Sequence, residues 1–403
     1  MMRLGRMTRR SAAVIAVVTC VGCGLAGGWG DPKTFRELQR RLETLDPDER
    51  GAAIQAYIDA RGGTPVVESQ SRAIFLVQDR DGVTPRVVGD FNNWASAANG
   101  QDPSIGVPTR LDGTDWSYLE ASIYTNARAE YVLFFPDQAS IDPHNPRTVA
   151  AFAGPRSEVR MPQWIPQPEI DLTVDVPAGA LAAETLESTS LVGSRRVWFY
   201  TPPGYETSRA WYPVLYVLDG GNYVEHMAAP TILDRLIARK AIEPVVAVFV
   251  EPAERQEEYS RSAPWRAFMA TELVPLVDKR FRTFPAPEKR VILGSSLSAY
   301  GAVDLAVEYP GTFGLCAALA PPAQTPTVIT NQAKGQDAIR AVRFFILAGT
   351  YDAMANGGRR LRSALGMGAG AVTYLEVPEG HSSETFRGHL DDALTALLAV
   401  TPS

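Results

Sequence analysis

The pattern of apolar and polar positions changes character twice along the first two-fifths of this 403-residue chain. Phe35, Leu38, Leu42 and Leu45, then Ile54 and Ile58, recur at helical spacing. Asp31-Pro32 and Asp46-Pro47 supply a cap and a helix-starting proline for each run. This predicts two short helices forming an arm over residues 29–63. From 64 to 165 the runs become short and alternating, at 73–78, 85–89, 116–123 and 130–135, with turn-rich segments between them. Strands so regularly spaced, with no helix between them, predict a small β-sandwich. Asp142-Pro143-His144-Asn145-Pro146 must turn, because two prolines exclude both helix and central strand. The proline-rich run 162–168 reads as a linker.

Beyond residue 170 strands and helices alternate. Apolar runs at 196–201, Val214–Leu218, 245–250, 291–294, 344–348 and 372–377 read as strands. Helical patterns fall at 265–281, 299–309 and 359–365, with a last helix inside 381–400. Runs buried on both faces and separated by helices predict an α/β domain, 170–403, around a mostly parallel sheet.

Residues 1–28 read as a signal peptide. Arg3, Arg6, Arg9 and Arg10 precede an apolar stretch, 12–21, that is too short to span a bilayer. Cys23 after Val21-Gly22 fits a lipoprotein signal with Cys23 as the lipidated residue, whereas Gly24-Leu25-Ala26 would suit an ordinary signal peptidase. Thr8-Arg9-Arg10 also resembles a twin-arginine signal, although Ala12 and Ala13 stand where bulky residues are usual. The chain is expected to be exported, as a membrane-anchored lipoprotein, a periplasmic protein or a secreted one.

Composition narrows the chemistry. Apolar residues make up 45% and charged residues 21%, as in a globular protein with a large core. Lys+Arg number 39 against Asp+Glu 45, a net charge of −6, so there is no basic excess to hold a nucleic acid. Three cysteines and four histidines are too few for a disulfide framework or a Cys/His metal site.

The most informative segment is Arg290-Val-Ile-Leu-Gly294-Ser295-Ser296-Leu297-Ser298, where an apolar strand enters a Gly-x-Ser-x-small turn and leaves as a helix. In that context Ser296 is a candidate nucleophile on a strained elbow, and the Leu297 N–H faces a developing oxyanion at the helix N-terminus. A base and an acid should follow in the order Ser, Asp/Glu, His. His144 and His226 precede Ser296, and His389 falls within the last helix, where a surface or packing role is expected. His381, in a loop directly after the last strand, is the candidate base. Asp352, at the tip of the turn after the strand 344–348, is the candidate acid that orients it. Glu376 and Glu379 are rivals, but both lie too near His381 in the chain. Gly221, in Asp219-Gly220-Gly221-Asn222-Tyr223, is the candidate second oxyanion donor.

Together these residues resemble the esterase family of α/β-hydrolases that includes esterase D, feruloyl esterases, bacterial mycolyltransferases and enterochelin esterases. Tyr200-Thr-Pro-Pro-Gly-Tyr205, Pro213-Val-Leu-Tyr-Val-Leu-Asp219-Gly, Arg255-Gln-Glu-Glu258-Tyr, Glu272-Leu-Val-Pro275, Gly349-Thr-Tyr-Asp352 and Glu379-Gly-His381 carry the likeness. The chain departs at Ser298-Ala299, where the family usually has two glycines, and at Ser382, often an aspartate. The resemblance implies an α/β-hydrolase fold and a serine carboxylic-ester hydrolase working through an acyl-enzyme. It implies no metal or organic cofactor, and a small-molecule or glycan ester as substrate. Asn222, Tyr223, Arg255 and Glu258 are assigned to substrate binding. Val88-Gly-Asp-Phe-Asn-Asn-Trp94, Trp116 and Asp142-Pro143 are similar to immunoglobulin-like glycogen-binding modules. Gly63-Thr-Pro-Val-Val-Glu68 is similar to the opening of the N-terminal domain of enterochelin-esterase-like proteins. Two other readings stay open: a non-catalytic carbohydrate- or surface-binding lipoprotein that has kept the fold, and an acyltransferase using the same acyl-enzyme. The sandwich is expected to pack beside the candidate site rather than serve as a tethered glycan binder through Trp94.

Overall fold

The computed structural model describes residues 31–97, 100–150, 154–167, 175–330, 339–366 and 371–400. The expected signal segment, Cys23 and part of the expected linker lie outside these residues. The arm consists of α1 (Phe35–Thr44), capped by the Thr34 hydroxyl, and α2 (Pro47–Asp59).

Two antiparallel sheets follow. One is centred on β1 (Arg72–Gln78) and β3 (Trp116–Ser122). The other is centred on β2 (Arg86–Gly89), β4 (Arg128–Phe134) and β5 (Arg156–Arg160), in the order β5-β4-β2. β1 is buried on both faces, and its alternation shows why. Ala73, Phe75 and Val77 point between the sheets onto Tyr131, Leu133 and Val159. Ile74 and Leu76 point the other way, onto Phe35, Leu38 and Tyr57 of the arm.

The α/β domain holds β6 (Ala180–Glu187), β7 (Ser194–Thr201), β8 (Val214–Leu218), β9 (Val246–Val250), β10 (Arg290–Ser295), β11 (Leu315–Leu319), β12 (Arg343–Gly349) and β13 (Ala371–Val377). The sheet order is β6-β7-β9-β8-β10-β11-β12-β13. β6, β7 and β9 pair antiparallel and the rest parallel. Neighbours in a strand enter opposite cores: Tyr216, Ile292, Cys316 and Phe344 on one face, Leu215, Leu293, Ala317 and Phe345 on the other. Both faces are covered by helices, as a largely parallel sheet requires.

Five of these elements differ from expectation. The helix expected over 265–281 runs from Ala263 to Arg280 but widens into a π-turn at Phe268–Leu273. Pro275 has no N–H to give, and the turn ahead of it takes up the mismatch. The last helix is broken at His389, into Ser383–Gly388 and Leu390–Leu398. β5, β6 and β11 were not expected as strands.

Candidate active site

Ser296 stands between β10 and the helix α3 (Leu297–Glu308), with φ 57° and ψ −126°, a conformation that non-glycine residues rarely adopt. Its N–H donates to Leu319 O on the neighbouring strand at 2.9 Å. The turn is so tight that a Cβ at Gly294 would lie 2.2 Å from Ser298 O. Ser298, in place of the usual glycine, braces this turn. Its buried hydroxyl accepts from Ser295 N at 2.9 Å and donates to Ser295 O at 2.8 Å. The substitution therefore preserves the elbow. Leu297 N–H is the first of the helix and has no acceptor within it.

The turn after β12 places Asp352 against the loop after β13. Its Oδ2 lies 2.7 Å from His381 Nδ1, and its Oδ1 accepts from Met354 N at 2.6 Å. The carboxylate is buried while the imidazole is about one-third exposed. Phe386 meets the His381 ring edge-on, with centroids 5.2 Å apart.

Ser296 and His381 line one cleft of about 460 Å³, together with Asp219, Asn222, Glu251, Arg255, Ser382 and Phe386. The walls come from the loops after β8, β9, β10 and β13, the carboxyl ends of parallel strands. One wall comes from elsewhere: Arg156, on β5 of the sandwich, also lines the cleft. Its guanidinium lies 4.4 Å from the Trp94 ring centroid and bonds Glu130 Oε2 at 3.0 Å. The Trp94 indole N–H donates to Asp90 at 2.9 Å, so a face proposed for sugar stacking is occupied from within the sandwich.

Several assigned residues take other roles. Gly221 does not offer a free N–H, because it donates to Glu251 Oε2 at 2.6 Å. Burial pushes the Glu251 carboxyl above its ordinary value, against the pull of that N–H. Tyr223 is fully buried in the core beneath the loop and forms no part of the cleft wall. Glu258 is buried against Arg195, at 2.5 and 3.3 Å, and also lies off the wall. Arg255 does reach the cleft, held by Asp219 in a two-bond fork at 2.7 and 2.8 Å. Asn222 also lines it, and its Oδ1 is buried without a partner. His389 is a buried charged group rather than a surface one, 2.8 Å from Asp392 and 3.6 Å from Glu379. Burial opposes its charge, but the two carboxylates raise it to about 9. Glu251 follows an apolar strand, and its loop meets Ser296 as the chain order of strand ends implies, but its bond to Gly221 was not foreseen. Sequence reasoning missed Arg156, which nothing local marks. Among the described residues no cluster of His, Cys, Asp and Glu could hold a metal ion, and no helix is long and apolar enough to cross a membrane.

Residues 188–342 match the family model described as "Putative esterase". The Bacillus subtilis uncharacterized protein YbbA is 24% identical over 141 residues, which is 30% of this chain and 54% of that one. Esterase Rv1288 of Mycobacterium tuberculosis is 26% identical over 128 residues, covering 30% of this chain and 28% of that one. The chain thus spans about half the length, or less, of these curated relatives. Among solved structures, the Shigella flexneri enterobactin esterase, determined in the presence of enterobactin, superposes with TM-score 0.68 at 19% identity. That match covers 85% of this chain and 97% of the other, so it extends beyond the α/β domain. A ferulic acid esterase superposes with TM-score 0.51 at 18% identity, over 55% of this chain and 98% of its own. The fold likeness and the match over residues 188–342 agree: the α/β domain of this chain has the α/β-hydrolase fold and is similar to the "Putative esterase" family.

Proposed function

We propose that this protein is a serine carboxylic-ester hydrolase working through an acyl-enzyme. The observation that carries this reading is the pairing of a strained Ser296 elbow with a buried Asp352–His381 couple on the same cleft. Ser296 Oγ attacks the ester carbonyl carbon while His381 Nε2 takes its proton, and Asp352 stabilises the imidazolium and fixes its tautomer. Leu297 N–H receives the oxyanion. Gly221 N–H joins it once Glu251 has turned aside. His381 then gives the proton to the departing alcohol, and water, activated in the same way, releases the acid. None of these steps draws on a cofactor.

The preferred substrate is a bulky ester of the enterobactin type. Two observations support this over a carbohydrate ester. The likeness to enterobactin esterase covers 85% of this chain and so extends into the N-terminal half, whereas that to ferulic acid esterase covers 55%, less than the length of the α/β domain. A sandwich residue, Arg156, lines the cleft. Export with lipidation at Cys23 belongs to the same proposal. The test is hydrolysis of p-nitrophenyl, feruloyl, acetyl-sugar and siderophore esters by the wild type and by folded Ser296→Ala. Turnover that survives in Ser296→Ala would overturn the mechanism, and a preference for acetyl sugars would overturn the substrate class.

A further inference from the structure

Arg128 belongs to β4 of the sandwich, yet three of the five hydrogens its guanidinium can give go to the hydrolase loop around His381. Nε donates to Glu379 Oε2 at 3.1 Å. Nη2 donates to Ser382 Oγ and Thr385 Oγ1, both at 3.1 Å. Nη1 donates to Glu130 Oε1 at 3.0 Å and Glu158 Oε2 at 3.1 Å. These five bonds use all five N–H donors of an arginine, and the side chain is only 4% exposed.

The acceptors on the hydrolase side are not scattered. Glu379 and Ser382 bracket His381, and Ser382 Oγ also caps the helix Ser383–Gly388 by accepting from Thr385 N. That helix carries Phe386, which sets the imidazole edge. The acceptors on the sandwich side have other cations: Glu130 has Arg156 and Glu158 has Arg160. What depends on Arg128 is therefore the geometry of residues 379–385. We infer that Arg128 is a positioning residue for His381, fixing from the neighbouring sandwich the loop that holds the imidazole between Asp352 and Ser296. The inference rests on the proposed role of His381 as general base.

A planar fork is needed for this task. Lysine keeps the charge but presents only three donors from one point, and cannot span Glu379, Ser382 and Thr385 together. The groups facing Glu379 are Arg128, the Trp164 indole N–H at 3.2 Å and His389, so the loop keeps other contacts when Arg128 is changed.

The experiment compares wild type, Arg128→Lys and a Ser382→Ala/Thr385→Val double variant on p-nitrophenyl acetate. Ser296 labelling by a fluorophosphonate is followed in parallel. In Arg128→Lys kcat should fall on the order of 10- to 100-fold, the cost of a small misplacement of a catalytic group, with KM changed less than about threefold. The rate of Ser296 labelling should fall together with kcat, because both need the proton taken by a correctly placed imidazole. The double variant should move both in the same direction. Should Arg128→Lys fail to fold, the double variant alone decides, because it leaves the buried ion pairs intact. Wild-type kcat and labelling rate in either folded variant, or a loss confined to KM, would overturn the inference alone. A wild type that neither hydrolyses esters nor labels at Ser296 would instead overturn the functional reading and this inference with it.

Discussion

Gly380 lies so close to Asp90 that a Cβ on it would come within 1.9 Å of Asp90 Oδ1. The carboxylate cannot swing away freely, because it accepts from Glu130 N at 2.7 Å and from the Trp94 indole. The residue before His381 is thus a glycine because the sandwich packs directly on it. Gly380→Ala should cost about 1–3 kcal/mol, the range for an overpacked contact. It should also lower kcat more than the equally conservative Gly388→Ala, whose Cβ would meet nothing within 4 Å. Chemical unfolding and steady-state kinetics on the two variants would check this.

Asp352→Asn should leave the fold intact and lower kcat by roughly 100-fold or more, yet less than Ser296→Ala. The amide can keep a hydrogen bond to Nδ1 but cannot stabilise the imidazolium. Activity equal to wild type would assign the acid to another residue.

Glu251 accepts the N–H that a tetrahedral oxyanion would need. Removing the carboxylate in Glu251→Ala should raise kcat/KM for a small ester by up to about tenfold, since no ionic hydrogen bond has to break first. Unchanged or lower kcat/KM would show that Gly221 takes no part in holding the oxyanion.

The join between sandwich and hydrolase should be pH-sensitive. His389 is raised to about 9 from its ordinary 6.5, so its contribution is complete below 6.5 and is lost as pH rises through 9. Burial opposes the charge on Glu379, but Arg128 and His389 hold it down at about 2 from an ordinary 4.5. Its contribution is complete above 4.5 and is lost as pH falls toward 2. Asp90, pushed up to about 6 by burial and by Glu130, contributes most below its ordinary 3.8 and loses that contribution as pH rises through 6, before His389 begins to lose its proton. Thermal stability should therefore peak near about pH 4.5 to 5 and fall further above pH 6.5. His389→Gln should flatten the fall between pH 7 and 10, as a thermal unfolding series would record.

Export can be tested at one atom. If Cys23 carries a lipid, Cys23→Ser should move the protein from the membrane fraction to the soluble one. An identical distribution of the two forms would point to cleavage near Ala26.

The parts of the site that were legible in the sequence are those set by a few adjacent residues. Ser296 announces itself because strand, small-residue turn and helix are contiguous, and Asp352 and His381 each follow an apolar strand at its exit. β11 was missed because Leu-Cys-Ala-Ala-Leu is too short and small-sided to separate from the end of a helix. β6 was missed because its alanines and glutamates favour a helix and only the edge of a sheet makes them a strand. Tyr223 and Glu258 were misassigned for a different reason. Sequence places a residue in a loop but does not say which way its side chain turns, and both turn into the core. Arg128 and Arg156 had no local signal, since what they do depends on partners brought from the far side of the fold.

The bond between Arg128 and Glu379 joins residues 251 positions apart. The ribosome makes the sandwich first and the histidine loop almost last. A chain still emerging, or one lacking its final quarter, therefore carries the nucleophile and the sandwich without the base. Its arginine then faces solvent in place of the loop it should hold. On the proposed mechanism, catalytic competence comes only with the closing segment, so the chain stays idle for most of its own synthesis.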